Sequence, residues 1–474
     1  MERYDLAVIG GGTAGLVSAA VSAGIGAKTA LVEERRLGGE CLWTGCVPSK
    51  AIIRSASVLH ALRHAADYGI DVQGGRADFG RVMDRVHAII RGIEPHDSPE
   101  RFRAMGVDVI EGRARFVSPE EALVGGRRVR ARRWILATGS RTAIPPVPGL
   151  EAAGYLTHET LWELRALPES LLVLGAGPIG LEMAQAFARL GSTVTVVDLA
   201  ERVLEREDPE IAAVVARRLE REGIRLLLGA RATAVRMDAG ARVVTVSTAA
   251  GEVELRAAEL LVATGRRPNV EEMGLEAIGV EVTEKGVTVD GSLRTSAHNV
   301  WAAGDVVGPY RFTHVADYQA RIAAPNALFP LRRKVDYRVV PWCTYTDPEV
   351  ARVGMTEAEA RAEWGEKAAV YRYDHDSLDR ALCDGEPDGL TKVVLDPKGR
   401  LVGAHVVGPR AGETIHEAVL AVRQRLKLSE LSGMIHVYPT YPESLKRAAD
   451  AFLRAKYSGG LARKVADLAV RWLV

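Results

Sequence analysis

Residues 4–33 read YDLAVIGGGTAGLVSAAVSAGIGAKTALVE, and the fold is decided here. Residues 4–9 have the texture of a buried strand, and Gly10, Gly12 and Gly15 follow in G-x-G-x-x-G spacing. A helix of small residues comes next, then a second strand over 28–32, closed by the acid Glu33. The first glycine permits a tight turn, the second lets the backbone approach a pyrophosphate, and the third lets the helix pack on the strand. The helix start offers unpaired N–H groups to phosphate, and the acid accepts from ribose hydroxyls.

The pattern recurs. Residues 171–174 form a strand, Gly175, Gly177 and Gly180 repeat the spacing, and a helix leads to the strand 193–197 and the acid Asp198. Each unit later has a short apolar strand ending in Ala-Thr-Gly, WILATGS at 134–140 and LLVATGRRPN at 260–269. One glycine motif would be weak evidence, but two complete units, each with its acid, predict two related dinucleotide-binding domains. The proline-rich segment 144–149, IPPVPG, is a natural connector between them. After Pro341 the texture changes to strand runs such as KVVLD and LVGAHVVG followed by helices, which predicts an α+β domain.

Composition narrows the function classes. At 474 residues the chain should hold about three domains. Sixty-two basic residues nearly cancel sixty-one acidic ones, so nothing in the charge calls for nucleic acid. No secretory signal and no spanning apolar run are visible, so a cytoplasmic protein is the expectation. Only four cysteines are present, and two of them, Cys41 and Cys46, lie in GGECLWTGCVPSK at 38–50. A pair that close suits a two-electron store or a metal site better than a structural staple. A zinc site usually brings a second ligand pair, and none follows.

Taken in order, GGGTAG, GGECLWTGCVPSK, ATGS, GAGPIGLE, ATGRRPN, AAGD, YTDPEVARVG and HVYPTYPE resemble the flavoprotein disulfide reductases, the class I pyridine nucleotide-disulfide oxidoreductases. That family includes glutathione reductase, dihydrolipoamide dehydrogenase and mercuric reductase. The resemblance implies an α/β fold with two Rossmann-like domains and a C-terminal α+β dimerisation domain. It divides the chain into an FAD domain at 1–149, an NAD(P) domain at 150–268 and a central domain at 269–337. A dimerisation domain at 338–455 and a tail helix at 456–474 follow. It assigns Gly10, Gly12, Gly15, Glu33, Gly39, Lys50, Thr138, Gly139, Gly304 and Asp305 to FAD. Gly175, Gly177, Gly180, Asp198 and Gly265 go to the nicotinamide cofactor. Glu182 is similar to the carboxylate that pairs with Lys50. A hydride path from nicotinamide through FAD to a Cys41–Cys46 disulfide is implied, with Cys46 left as the thiolate and Cys41 as the exchanging thiol.

Asp198 would repel a 2′-phosphate, and Leu199 stands where NADP users place an arginine, so NADH is favoured over NADPH although Arg202 and Arg206 are near. Pro178 stands where several relatives carry a tyrosine over the nicotinamide.

The C-terminal motif departs from the disulfide-reducing members. They carry a catalytic histidine before Pro-Thr, supplied by the other subunit of a homodimer. Here that position is Tyr438, while Glu443 is retained and His436 lies two residues upstream. If the segment is extended, His436 shares a face with Tyr438 and could partly substitute. A tyrosine there is a feature of mercuric reductases, which implies a small-molecule or metal-ion substrate, with Cys41 and Cys46 transiently holding Hg(II). A lipoamide, other disulfide or quinone reductase is the alternative, because no metal-binding domain precedes the chain's first strand and no cysteine pair stands in the last residues, AVRWLV. The tail, with Leu461, Val465, Leu468, Trp472 and Leu473 at helical spacing and Arg463, Lys464 and Arg471 alongside, reads as a helix packed on the dimer, or less readily as a membrane-surface helix.

Overall fold

A computed structural model describes residues 3–72 and 74–458, with the separate positions 468, 470 and 472. The tail reading beyond residue 458 otherwise lies outside the described residues. The chain divides into two compact units, one of Met1–Gly175, Ala186–Thr195 and Arg231–Val335, the other of Ala176–Gln185, Val196–Ala230 and Asp336–Val474.

The first unit is built on a seven-stranded sheet. Its strands run in the order Val107–Glu111, Thr29–Glu33, Arg3–Ile9, Arg127–Leu136, Glu121–Val124 and Ala114–Ser118, with Val300–Ala302 also paired to Arg127–Leu136. The central pairings are parallel, so Ile9, Val32, Leu136 and Ala302 finish at one edge. Both faces are covered. Leu6, Val8, Leu31 and Ile135 pack with Leu16 and Ala19 of helix Thr13–Gly24 and with Ile322 and Ala323 of helix Thr313–Leu328. Alternate residues Ile9, Val32, Trp134 and Leu136 join the opposite core, where Trp134 meets Phe116 edge-on at 4.9 Å. A sheet buried on both faces reads as continuous apolar strands, which is why the sequence showed them. A three-stranded antiparallel meander, Arg231–Asp238, Ala241–Thr248 and Gly251–Ala257, adds to this unit. The strand Ser170–Leu174 pairs in parallel with Glu259–Val262.

The second unit carries a five-stranded antiparallel sheet in the order Pro341–Thr344, Glu349–Gly354, Leu401–Gly408, Leu390–Leu395 and Ala369–Asp374. Helices Ala411–Gln424 and Glu443–Tyr457 supply its core partners, including Ile415, Ala418, Leu445 and Ala448. Lys392, buried in this sheet, is neutralised by Asp208 at 2.9 Å and Glu357 at 2.7 Å. Among the described residues, no helix is long and apolar enough to cross a membrane.

Two histidines of this sheet region are fully buried. His375 bonds through Nε2 to the Thr391 hydroxyl at 2.9 Å, and His405 donates from Nε2 to the Met355 carbonyl at 2.9 Å. Burial pushes both down to about 4. Between an unfolded-state value near ~6.5 and that folded value, only the unfolded chain binds the extra proton. Stability is therefore full above the unfolded value and is lost as pH falls from ~6.5 toward ~4, by up to about 1.4 kcal/mol per pH unit for each histidine. The unfolding midpoint is expected to drop between pH ~6.5 and ~4.5, and less steeply in His375→Gln.

Candidate active site

The two glycine turns are tied down in the same way. Glu33 accepts the Gly11 N–H with one carboxylate oxygen and the Arg35 N–H with the other. Asp198 accepts the Ala176 N–H with one oxygen and the Ala200 N–H with the other. Each acid thus bridges its own strand end and the middle residue of its glycine turn. Gly10 has φ +109°, and a Cβ there would lie 2.2 Å from the Ala137 carbonyl oxygen. Gly175, at φ +114°, would place a Cβ 2.4 Å from the Ala263 carbonyl oxygen. Only glycine lets the turns come so close to the Ala-Thr-Gly segments.

The first turn fits the FAD that the sequence implies. Gly12 opens helix Thr13–Gly24 without a side-chain cap, leaving first-turn N–H groups for an anion. Gly15 packs on Gly10, Gly39 faces Gly12, and Gly304, at φ +82°, donates its N–H to Gln319 at 2.6 Å. Thr138 and Asn269 exchange bonds of 2.6 and 3.0 Å, and the Gly139 carbonyl accepts from Asn269 N at 3.0 Å. Asp305 accepts from the Ser140 hydroxyl at 2.7 Å. Burial holds its carboxyl above the usual range, against the opposing pull of Arg266 and Ser140. In the second turn the Gly177 carbonyl accepts from Leu181 N at 3.0 Å, Gly180 is buried, and the Gly265 carbonyl accepts from Ala143 N at 2.9 Å.

Cys41 lies in the short helix Gly39–Trp43 and Cys46 begins the eighteen-residue helix Cys46–Arg63. Both are free thiols, Cys41 half-buried and Cys46 exposed. The neighbouring Cys46 sulfur, and then burial, push the Cys41 thiol well above its ordinary range, while a bond to the Thr313 hydroxyl opposes them. Cys46 stands at the N-terminus of its helix, the end that favours an anion. Thr313 Oγ1 lies 3.3 Å from Cys46 Sγ. Lys50 sits half-buried one turn further along the same helix. In the second unit, Glu182 is buried on helix Pro178–Leu190 and accepts the Tyr345 N–H at 2.9 Å.

Residues 434–440 are not a strand, and His436 and Tyr438 do not share a partner. His436 turns into the Glu417 carboxylate at 3.0 Å, whereas the exposed Tyr438 donates its hydroxyl to Asp379 at 2.7 Å. The condition under which His436 would share a face with Tyr438, an extended strand, is not met, and each ring meets a carboxylate on a different helix. The bond to Asp379 raises Tyr438 above the usual tyrosine range. Glu443 opens helix Glu443–Tyr457 and pairs with Arg447 at 2.6 Å.

A family model described as pyridine nucleotide-disulphide oxidoreductase matches residues 4–320, and the dimerisation domain of the same family matches 340–449. The chain belongs to this family. It is an FAD-dependent oxidoreductase with a redox-active cysteine pair and Rossmann-type domains. It is 36% identical over 457 residues to a mercuric reductase of Streptomyces lividans, covering 95% of this chain and 96% of that protein. It is 35% identical over 479 residues to a dihydrolipoyl dehydrogenase of Rhizobium etli, covering 96% and 99%. A Cu(II) complex of the HOCl-induced flavoprotein disulfide reductase RclA from Escherichia coli superposes with a TM-score of 0.85 at 30% identity, covering 95% of this chain and 100% of that one.

Sequence reasoning missed Thr313, Glu40, His158, Trp162 and Arg266. Nothing local flags Thr313, 267 residues from Cys46. Glu40 did carry a signal, as a charged residue wedged between a glycine pair and a redox cysteine. If the Thr313 hydroxyl stabilises the thiolate, Thr313→Val removes a donor to the charged form. The pH at which the reduced pair ionises, read from thiolate absorbance, should rise by about 1 unit.

Proposed function

We propose that this oxidoreductase uses NADH to reduce Hg(II) to Hg(0) at the Cys41–Cys46 pair. The observation that carries this reading is what holds Tyr438, at the catalytic-histidine position, and His436 two residues upstream. Exchange with a disulfide substrate needs an acid to protonate the leaving thiolate. Tyr438, raised above the tyrosine range by its bond to Asp379, gives up its proton less readily, and His436 is turned instead to Glu417 on a different helix. A soft metal ion makes no such demand, and two adjacent sulfurs match its ligand preference. The net change balances without a further co-reactant, since Hg(II) and NADH give Hg(0), NAD+ and one proton.

FAD, when bound, relays the two electrons of the nicotinamide hydride to the cysteine pair. The chain's own residues hold the cofactors and the sulfurs. Gly10, Gly12, Gly15 and Glu33 would hold the adenosine and pyrophosphate half of FAD, with Gly39, Lys50, Thr138, Gly139, Gly304 and Asp305 around the remainder. Gly175, Gly177, Gly180, Asp198 and Gly265 would do the same for NADH. NADH is supported by the position of Asp198 at the strand end, by the exposed Leu199 beside it, and by Arg202, whose guanidinium bonds the Glu205 carbonyl. The thiolate of Cys46 is supported by the helix start and the Thr313 hydroxyl, leaving Cys41 to meet substrate.

A homodimer is part of the reading. The dimerisation domain exposes Met434, Ile435, Val437 and Tyr438 together on one loop, an apolar group that a second copy would cover. Tyr438 and Glu443 would then serve the cysteine pair of that second copy.

A substrate panel with both nicotinamides tests the proposal. Hg(II)-dependent NADH oxidation in excess thiol is expected to exceed lipoamide turnover by about tenfold or more and to vanish in Cys46→Ala. The reverse ranking would move the chain to the dihydrolipoyl dehydrogenase reading, which relatives of similar identity also support. NADH should be preferred to NADPH in kcat/KM, and Asp198→Ser should lower the NADH value by about tenfold while narrowing the ratio.

A further inference from the structure

Glu40, directly before the first redox cysteine, is fixed from two sides. Its carboxylate pairs with the Arg266 guanidinium through one oxygen and with His158 Nε2 at 3.2 Å through the other. Burial works to raise this carboxyl, but His158 and Arg266 outweigh it and hold Glu40 below the usual carboxylate range, so it stays charged. Arg266 is itself anchored, with Nε 2.8 Å from the Ser140 hydroxyl and a second nitrogen 3.0 Å from the Ser140 carbonyl. His158 is buried and bonds through Nδ1 to the Thr142 hydroxyl at 2.7 Å.

The far end of the cysteine loop is held by the same segment. The indole N–H of Trp162 is shared between the His158 carbonyl at 2.7 Å and the Thr44 carbonyl at 2.9 Å. Thr44 stands two residues before Cys46, as Glu40 stands one before Cys41. Between them the Thr44 N–H donates to the Glu40 carbonyl at 2.9 Å, and a Cβ on Gly45 would lie 2.9 Å from that same oxygen. Segment 158–162 therefore grips the loop at both ends, and a backbone bond closes it in the middle.

Glu40, His158 and Glu159 come close enough to suggest a cation site, since their ligand atoms lie within 4.8 Å of one another. The surrounding charge argues against that use. A guanidinium already pairs with Glu40 and lies 3.3 Å from His158 Nε2, and Glu159 pairs with Arg35 at 3.0 Å. A metal ion there would have to displace one arginine and face a second.

We propose that Glu40 and Trp162 are positioning residues that clamp the Cys41–Cys46 loop, so that the pair opens and closes by side-chain rotation while its backbone stays in place. The reading rests on the cysteine pair being the redox centre. Oxidation must bring two sulfurs to about 2.05 Å within narrow limits of Cα separation, and reduction must release them. A loop free to drift by about 1 Å loses that registration, which can lower a rate by up to about a hundredfold. Segment 158–162 suits the task because it is anchored by the buried His158 and Trp162.

The test uses holoenzyme and two electron acceptors. One is Hg(II) in excess thiol, which needs the cysteines. The other is a dye such as ferricyanide, which takes electrons from the flavin without them. Glu40→Gln keeps the side chain's size but loses its charge, and Trp162→Phe keeps a ring but loses the N–H. Both variants are expected to lower kcat with Hg(II) by about tenfold or more, with little change in KM, while FAD content and dye reduction stay near wild type. Unchanged Hg(II) turnover in both variants would overturn the clamp, and so would a parallel loss of both activities together with FAD. Cys46→Ala separates this from the underlying reading. If that variant keeps Hg(II) turnover, the cysteine pair is not the redox centre, whatever the clamp variants show.

Discussion

The carboxylate at the end of each second strand binds the backbone of its glycine turn, and the rest of the molecule is arranged around those two bonds. Glu33 reaches back to Gly11, and Asp198 reaches back to Ala176. Each turn is forced against an Ala-Thr-Gly segment so closely that a single Cβ would collide with backbone. A turn that tight exposes a row of N–H groups, and the acid satisfies one of them while its strand end satisfies the acid. At the first turn what remains is a helix start with no side-chain cap, which leaves first-turn donors for a dinucleotide phosphate. The same local solution occurs twice, with the same two acceptor roles, in segments of different sequence. That recurrence argues for a physical optimum rather than a packing accident.

Charge is concentrated around the redox loop in a way that the glycine turns do not dictate. Arg266 pairs with Glu40 and lies 3.5 Å from Asp305, so one guanidinium balances the acid before Cys41 and the buried acid assigned to FAD. Without it, Glu40 and Asp305 would raise one another, and Asp305 already stands above the usual range through burial. The cysteines are differentiated by simpler means. Cys46 opens a long helix and faces the Thr313 hydroxyl, while Cys41 is more enclosed and is pushed upward by its neighbour. Two thiols separated by four residues thus differ in helix position, in burial and in the groups they face.

Much of this was legible in the chain before any coordinate. The strand 4–9 appears as Arg3–Ile9, and 193–197 as Thr193–Val197, because strands buried on both faces must be apolar throughout. The glycine spacing and the acids are local patterns with local causes, so they could be read directly. The meander of Arg231–Asp238 and its two partners was not seen, since half-exposed strands rich in arginine and glutamate carry a weaker pattern. The contacts of Glu40 with Arg266 and of Cys46 with Thr313 span more than two hundred residues, and no spacing rule reaches that far. His436 would share a face with Tyr438 only on a strand, and residues 434–440 form none, so the two rings have different partners.

The central claim is that the cysteine pair stores two electrons beyond those held by the flavin. Anaerobic titration with NADH, followed by flavin and thiolate absorbance, measures this directly. The account predicts uptake of four electrons per chain in the wild type, two on FAD and two on the disulfide, falling to two in Cys41→Ser. Uptake of two electrons in both proteins would contradict it.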